Sequence, residues 1–490
     1  MSVFVGAYHN QGIGDFLCIL YLRGDEERLR EILRSLIDNA PQGVHLEVRY
    51  HQRKKEDIRV DKGVLRTADS DNFAGVGIRA LVDGTWGFAS TSIVDKSTLS
   101  ETMNDAITAA KMLSVQKSEK TTLAPIKPIE GTFSNLGKNP LSNHSLEERV
   151  ELALSIDKLM QESDKRIKGT VVLLEVVSNH RFILNSDGSD VEIRDTRPQF
   201  VIRPVASEGG KMMPYLTGRG ITGGWEIFQR DSLEIFTLEA AEIAVTLLDA
   251  PLAKGGKHTV VMEPSVVGII CHEAIGHTVE ADLVAAGSAA KGKIGEKVAS
   301  EHVTMIDSGE ETEGSGWLPV DDAGVQVGKT VIIEKGIMKS FLHSRSSAYD
   351  FETEPTGNER AFEYDVEPLI RMRNTYLAPG DFTHDELIED VKFGYLLAFP
   401  GGGQADSTAE FMFGVPKAYE IVNGSVTQLV KNVTITGNAY EVLSSVDGVA
   451  KDWKLDMGAG LCGKTQFAKV DGGGAVARTK ALVAGEVGGA

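Results

Sequence analysis

Three cysteines, Cys18, Cys271 and Cys462, are scattered through 490 residues, too few and too far apart for a disulfide framework. The thiols point instead to a reducing compartment, the cytoplasm. Basic residues are also short, with 51 Lys and Arg against 70 Asp and Glu and a formal charge of −19. So acidic a surface repels phosphate backbones and anionic lipid, and excludes nucleic acid and membranes as expected partners. No apolar run nears the roughly 20 residues that a bilayer span needs. The opening segment lacks a basic leader before its short apolar piece, FLCILYL, so no signal peptide is expected. Fixed-period repeats and low-complexity tracts are missing as well.

What remains is ordinary globular composition, 42% hydrophobic and 25% charged, with length for two to four domains. Residues 25–40 carry Leu29, Ile32, Leu33 and Leu36 at helical spacing. VHLEVRY (44–50) alternates as a strand. Residues 76–90 read as a hairpin turning at Asp83-Gly84, a pair suited to positive φ. A helix over 97–114 completes a helix, sheet, helix pattern, which is α+β layering. A Pro-, Ser- and Gly-rich stretch (118–143) marks a boundary. Ser145 and Glu148 then form a capping box that opens a further helix. Strands turning at Asp187-Gly188 and a helix over 231–250 follow. The expected division is an extension over 1–24, an α+β domain over 25–125, a central domain over 126–250 and a strand-rich domain over 251–490. Pro264 suits the first turn of a helix in this last part, and a second hairpin is expected to turn at Asn423-Gly424.

That helix holds the stretch with the most chemistry, GIICHEAIGHTVEADLV (268–284). Zinc-peptidase helices carry His-Glu-x-x-His, whose histidines lie about 40° apart at ~100° per residue. Here His272 and His277 are five residues apart, about 140° around a regular helix, where two rings do not converge. Gly276 offers the backbone freedom for a π-bulge, which inserts one residue and restores a common face. Two imidazoles leave a catalytic metal one protein ligand short. Glu280, on the same helical face, and Cys462, in the Gly-rich run MGAGLCGKTQ, are candidates for the third. Glu273 is placed to act as general base. Cys271 reads as a small buried hydrophobe. Lys464 and Arg371 are candidates for oxyanion stabilisation by charge alone. GAGLCGKT (458–465) satisfies a phosphate-loop pattern, but no strand–loop–helix context surrounds it and too few residues follow for a nucleotide domain.

HEAIGHTVEADL, LCGKTQ, PTGNERAFEYDVEPLIRMRNTYLAPGD (355–381), GGGQADSTAEFMFGVPKAYEIVNG (401–424) and VKNVTITGN (430–438) together resemble the TldD branch of the TldD/PmbA metallopeptidases. The resemblance covers the C-terminal half in order, and more loosely Asp25 to Leu113. It implies that His272, His277 and Cys462 bind zinc, that Glu273 is the catalytic base, and that Glu280 either supports a ligand from behind or serves the structure alone. It implies hydrolysis of unfolded or extended peptides by the catalytic member of a dimer, either a homodimer or a heterodimer with a TldE/PmbA-type subunit. The family's cysteine loop usually reads Cys-Gly-Lys-x-Gly-Gln; here Cys462-Gly463-Lys464-Thr465-Gln466 is one residue shorter. Two rival functions go with the same residues. One is a non-catalytic, zinc-stabilised peptide-binding module, and the other is a zinc amidohydrolase acting on small amides.

Overall fold

The computed structural model describes residues 23–116, 119–229, 232–456 and 460–485. Cys18 and nearly all of the expected extension over 1–24 therefore lie outside the described residues, and helix α1 (Arg23–Asp38) is the first element among those described. Long strands then build one sheet: β1 (His45–Asp61), β2 (Val64–Val82), β3 (Thr85–Thr91), β4 (Glu130–Asn135), β5 (Ile167–Asn185) and β6 (Asp190–Glu208). Their order is β3-β2-β1-β5-β6-β4. Every pair on this path is antiparallel except β4 with β6. β1 pairs with β5 along nearly its whole length, from Glu47 opposite Asn185 to Asp61 opposite Val171, so the sheet draws strands from both sides of residue 125.

The two-residue period of these strands sorts their side chains. On β1 and β5 the even-numbered residues face the helices. Leu46, Val48, Tyr50, Phe182 and Leu184 pack under α1 and α2 (Lys96–Ser114) at one end of the sheet. Ile58, Val60, Val172 and Leu174 pack under α3 (Leu146–Ser163) and α4 (Leu233–Thr246) at the other. One set of strands thus carries two cores end to end. The opposite face is charged. Arg49 donates to the carbonyls of Glu363 and Val366, Arg53 pairs with Glu363, and Arg79 pairs with Glu47 and Glu359. These contacts bind the sheet to the C-terminal part of the chain.

Local expectations from the sequence appear at their positions. Asp83 and Gly84 both take positive φ between β2 and β3, as do Asn423 and Gly424 between Lys417–Val422 and Ser425–Val430. Ser145 and Glu148 form a reciprocal capping box.

Among the described residues the C-terminal part is built on a sheet of thirteen strands. Gly256–Met262 runs at its centre, parallel to Phe393–Phe399 and antiparallel to Asp471–Ala484. Val260, Val261 and Met262 enter the largest apolar core of the protein. The chain passes straight from this strand into a helix, with Glu263 donating its amide to the Leu397 carbonyl and Pro264 in the first turn. That helix lies against Gly472 and Gly473: a Cβ on Gly268 would come within 2.4 Å of the Gly473 nitrogen. The glycine run in VDGGGAVA is what lets helix and strand backbones approach, and it seats the helix that carries the histidines.

Candidate metal centre

The helix is regular over Pro264–Ile269 and then widens into a π-helical turn over Ile270–Gly276. The His277 amide donates to the His272 carbonyl, the i to i−5 bond that defines such a turn. Residues five apart thereby come one above the other. The two imidazoles meet edge to face, with ring centroids 5.2 Å apart. Gly276 serves this geometry for a different reason from the one its residue type suggests. Its φ of −54° and ψ of −46° are helical, so no glycine-only conformation is used. A Cβ there would lie 1.9 Å from Met372 Sδ, and glycine is required because Met372 packs against the bare backbone.

Cys462 reaches this pair from 185 residues away. The sequence reading placed it in a Gly-rich loop; Met457, Gly458 and Ala459 lie outside the described residues, and Cys462 itself sits in a β-hairpin. Its strands are Leu461–Lys464 and Gln466–Lys469, joined by Thr465 alone at φ +58°. Cys462 Sγ lies 3.2 Å from His277 Nε2, and the donor atoms of His272, His277 and Cys462 are all within 4.8 Å of one another. Among the described residues this is the one cluster of three or more His, Cys, Asp or Glu side chains with metal-ligand spacing.

The surroundings determine which atoms face inward. Glu280 is fully buried, and its Oε2 lies 3.1 Å from His277 Nδ1, so Nε2 is the ring nitrogen turned to Cys462. Such a carboxylate–imidazole contact fixes the tautomer and the ring orientation of a metal ligand. Glu280 therefore stands behind His277, on the side away from Cys462. Glu273 Oε2 approaches His277 Nε2 to 3.8 Å, on the ligand side, and its side chain is 23% exposed. His272 is 1% exposed, and neither ring nitrogen has a hydrogen-bond partner. A buried imidazole with both nitrogens unsatisfied costs free energy unless something else meets it.

Electrostatics agree with a cation between these groups. Burial would raise the Cys462 thiol, but the neighbouring imidazoles outweigh burial and bring it down to about 5. Burial would lower His277, yet Cys462 and Glu280 hold it well above its ordinary value. Burial likewise opposes ionisation of Glu280, and His277, Lys464 and Arg371 keep it below the usual carboxylate value. Cys271, next to His272, is pushed up to about 12 by burial and remains an inert apolar neighbour. Two nitrogens and one thiolate sulfur, with an orphaned imidazole among them, suit a metal ion of zinc's softness.

The two cations considered for an oxyanion have other partners. Arg371 is fully buried and donates to the carbonyls of Cys462 and Gln466, each at 2.9 Å. Lys464 pairs with Glu280 at 3.0 Å and Asp282 at 2.6 Å. Both hold protein atoms. Arg360 escaped the sequence reading altogether: it is buried and donates to the carbonyls of Met372 and Lys469, each at 2.6 Å. Partners that are backbone carbonyls, one 12 and the other 109 residues away, leave no local sequence signal.

Residues 255–474 match the family profile described as the PmbA/TldA metallopeptidase C-terminal domain, residues 139–248 match its central domain and residues 46–111 its domain 1. A metalloprotease of Methanothermobacter thermautotrophicus is 35% identical over 470 residues, 94% of this chain and 99% of that protein. A zinc metalloprotease TldD homolog of Saccharolobus solfataricus is 28% identical, covering 84% of this chain and 90% of its own length. The crystal structure of TldE from Thermococcus kodakarensis aligns with a TM-score of 0.73 at 20% identity, over 94% of this chain and all of that one; this likeness is one of fold.

Proposed function

The chain belongs to the TldD/PmbA family of metallopeptidases, and on that premise we propose that it is a zinc-dependent peptidase cleaving unfolded or extended peptides. The observation that carries the reading is the meeting of His272, His277 and Cys462 around a buried point with Glu273 beside it. Three protein ligands is the number typical of a catalytic zinc, whereas structural sites close with four. When bound, zinc supplies a Lewis acid that acidifies water and polarises a carbonyl oxygen.

The chain's own residues do the rest. Glu273, partly exposed, is open to water and to a peptide. It takes a proton at a carboxylate oxygen from the attacking water and returns it to the amide nitrogen that leaves. Glu280 keeps His277 protonated at Nδ1, so the ring enters as a neutral Nε2 donor. The Cys462 thiolate offsets part of the cation's charge. Peptides, rather than small amides, are favoured as substrates by the names of the relatives, which are metalloproteases. Family resemblance supports a paired acting unit, with a second copy or with a related subunit that lacks the metal motif. Two buried free thiols, Cys271 and Cys462, favour the reducing cytoplasm.

Metal content measured beside hydrolysis of an unstructured peptide tests the proposal. Glu273→Ala keeps its zinc and loses turnover by about 10²-fold or more, the usual worth of a positioned base. Cys462→Ala loses both. Undiminished hydrolysis by Glu273→Ala removes the mechanism.

A further inference from the structure

The ligand set is assembled from two pieces of chain, and the piece carrying Cys462 is held mainly by polar contacts, among them Arg360 on the Lys469 carbonyl and Gln466 on the Glu367 carbonyl. Among the described residues its two strands pair only with each other. A lone two-stranded ribbon is marginal in water. The hairpin's apolar support is small as well: Cys462, Ala468 and Val470 form a cluster of their own, apart from the main core. Polar contacts must therefore set its position.

Those contacts converge. Side chains two apart on a strand share a face, so Lys464 points the same way as Cys462, toward the helix of the histidines. Lys464 Nζ donates to Glu280 Oε2 at 3.0 Å, the same oxygen that accepts from His277 Nδ1. One buried carboxylate oxygen thus touches the imidazole ligand and the strand of the sulfur ligand together. Asp282 takes Lys464 at 2.9 and 2.6 Å, and the Ile370 carbonyl accepts at 3.2 Å. Arg371 steadies the hairpin from its backbone side through the carbonyls of Cys462 and Gln466.

We propose that Lys464 is a positioning residue: through Glu280 it latches the Cys462 hairpin to the ligand helix, so that sulfur and imidazoles are in place before the metal arrives. The inference rests on the zinc-site reading above. Lys464 touches neither metal nor substrate, and its effect runs through the placement of Cys462 and the orientation of His277. It assigns to this lysine a function different from oxyanion stabilisation, because its ammonium is already spent on two carboxylates and a carbonyl.

The test measures metal rather than turnover. Zinc affinity is obtained by chelator competition, and cobalt substitution reports the sulfur through its thiolate-to-metal charge-transfer band. Lys464→Met, shown to be folded by circular dichroism and by the melting of its metal-free form, is expected to bind zinc about 10–100-fold more weakly, the usual cost of losing a group that orients a ligand. Its cobalt band weakens in parallel, and Lys464→Arg restores most of the affinity. Should Lys464→Met fail to fold, Lys464→Gln, which keeps a polar end but loses the charge on Glu280, shows a loss of affinity in the same direction. Folded Lys464→Met with wild-type affinity and an unchanged band overturns the latch while leaving the metal site standing; so does the same result in Lys464→Gln when the first variant is unusable. Absence of the thiolate band from wild-type protein overturns the site itself, and the latch with it.

Discussion

Replacing Gly276 with alanine separates two accounts of this glycine by the sign of a single number. An alanine at helical φ and ψ gains roughly 0.5–1 kcal/mol over glycine from backbone entropy, and Gly276 sits at −54° and −46°. If the residue supplied only flexibility for the π-turn, Gly276→Ala would leave the protein as stable or more so. The packing says otherwise. The added Cβ would lie 1.9 Å from Met372 Sδ and 3.0 Å from the Cys271 carbonyl. A normal contact of about 3.5–4.0 Å leaves roughly 2 Å to be made up. Met372 is fully buried and has no solvent to swing into. Overpacking of this kind costs about 1–3 kcal/mol, which exceeds the helical gain. The displacement also travels, because Met372 adjoins Arg371, which holds the Cys462 carbonyl. Urea unfolding of the zinc-free protein is expected to show a loss of about 1–2 kcal/mol, with weaker zinc binding beside it. In a Met372→Ala background, which removes the offending atoms, the Gly276→Ala penalty largely disappears. A stable Gly276→Ala, or a penalty undiminished by Met372→Ala, refutes the packing argument.

Two further outcomes follow from the same geometry. The imidazoles beside it bring the Cys462 thiol of the zinc-free protein down to about 5, so thiolate ultraviolet absorbance is expected at neutral pH, is expected to vanish as the pH falls through about 5, and is expected to be missing from Cys462→Ser. The folded value lies below the unfolded one, so this group's contribution to stability is full above the ordinary thiol pKa and is lost on descending through about 5. His277, raised, works in the opposite sense: its contribution is present below its ordinary value and is lost as the pH climbs through the raised one. A thiol titrating in the ordinary range contradicts the cluster. Asp307 is fully buried and accepts from Arg373, Thr375 and Asn358. Asp307→Ala strands the buried Arg373 and is expected to cost roughly 3–5 kcal/mol in denaturant unfolding, and Asp307→Asn less; a loss well under 1 kcal/mol would show that Arg373 finds another partner.

The parts of this molecule that could be read from sequence are those with short-range causes. The π-turn follows from His272 and His277 being five apart, since no regular helix brings such residues to one ion. The capping box at Ser145 and the turn at Asp83-Gly84 are likewise local. Long-range pairing is less visible. Nothing in residues 44–61 says that β1 will lie along β5, because the alternation that builds a strand does not name its neighbour. The hairpin of Cys462 read as a loop because MGAGLCGKTQ is rich in glycine and lacks alternating apolar residues. Its ordering comes from Arg360, Arg371 and Glu280, which meet it only in three dimensions. Charge alone suggests Arg371 and Lys464 for an oxyanion; their actual partners, two carbonyls in one case and two carboxylates and a carbonyl in the other, could be known only once the fold had brought them together. Gly276 shows a subtler limit. The sequence marks where a side chain is not tolerated, but whether dihedral or neighbour forbids it depends on Met372, 96 positions along the chain.

The central claim is that two imidazoles and one thiolate hold the metal, with room left for water. X-ray absorption at the zinc edge of the loaded protein tests it most directly. The account predicts one sulfur at about 2.3 Å and two imidazole nitrogens at about 2.0–2.1 Å, completed by a light oxygen scatterer that exchanges with solvent, and a sulfur contribution that disappears in Cys462→Ser. A zinc spectrum without sulfur, or one with four protein ligands, would contradict it.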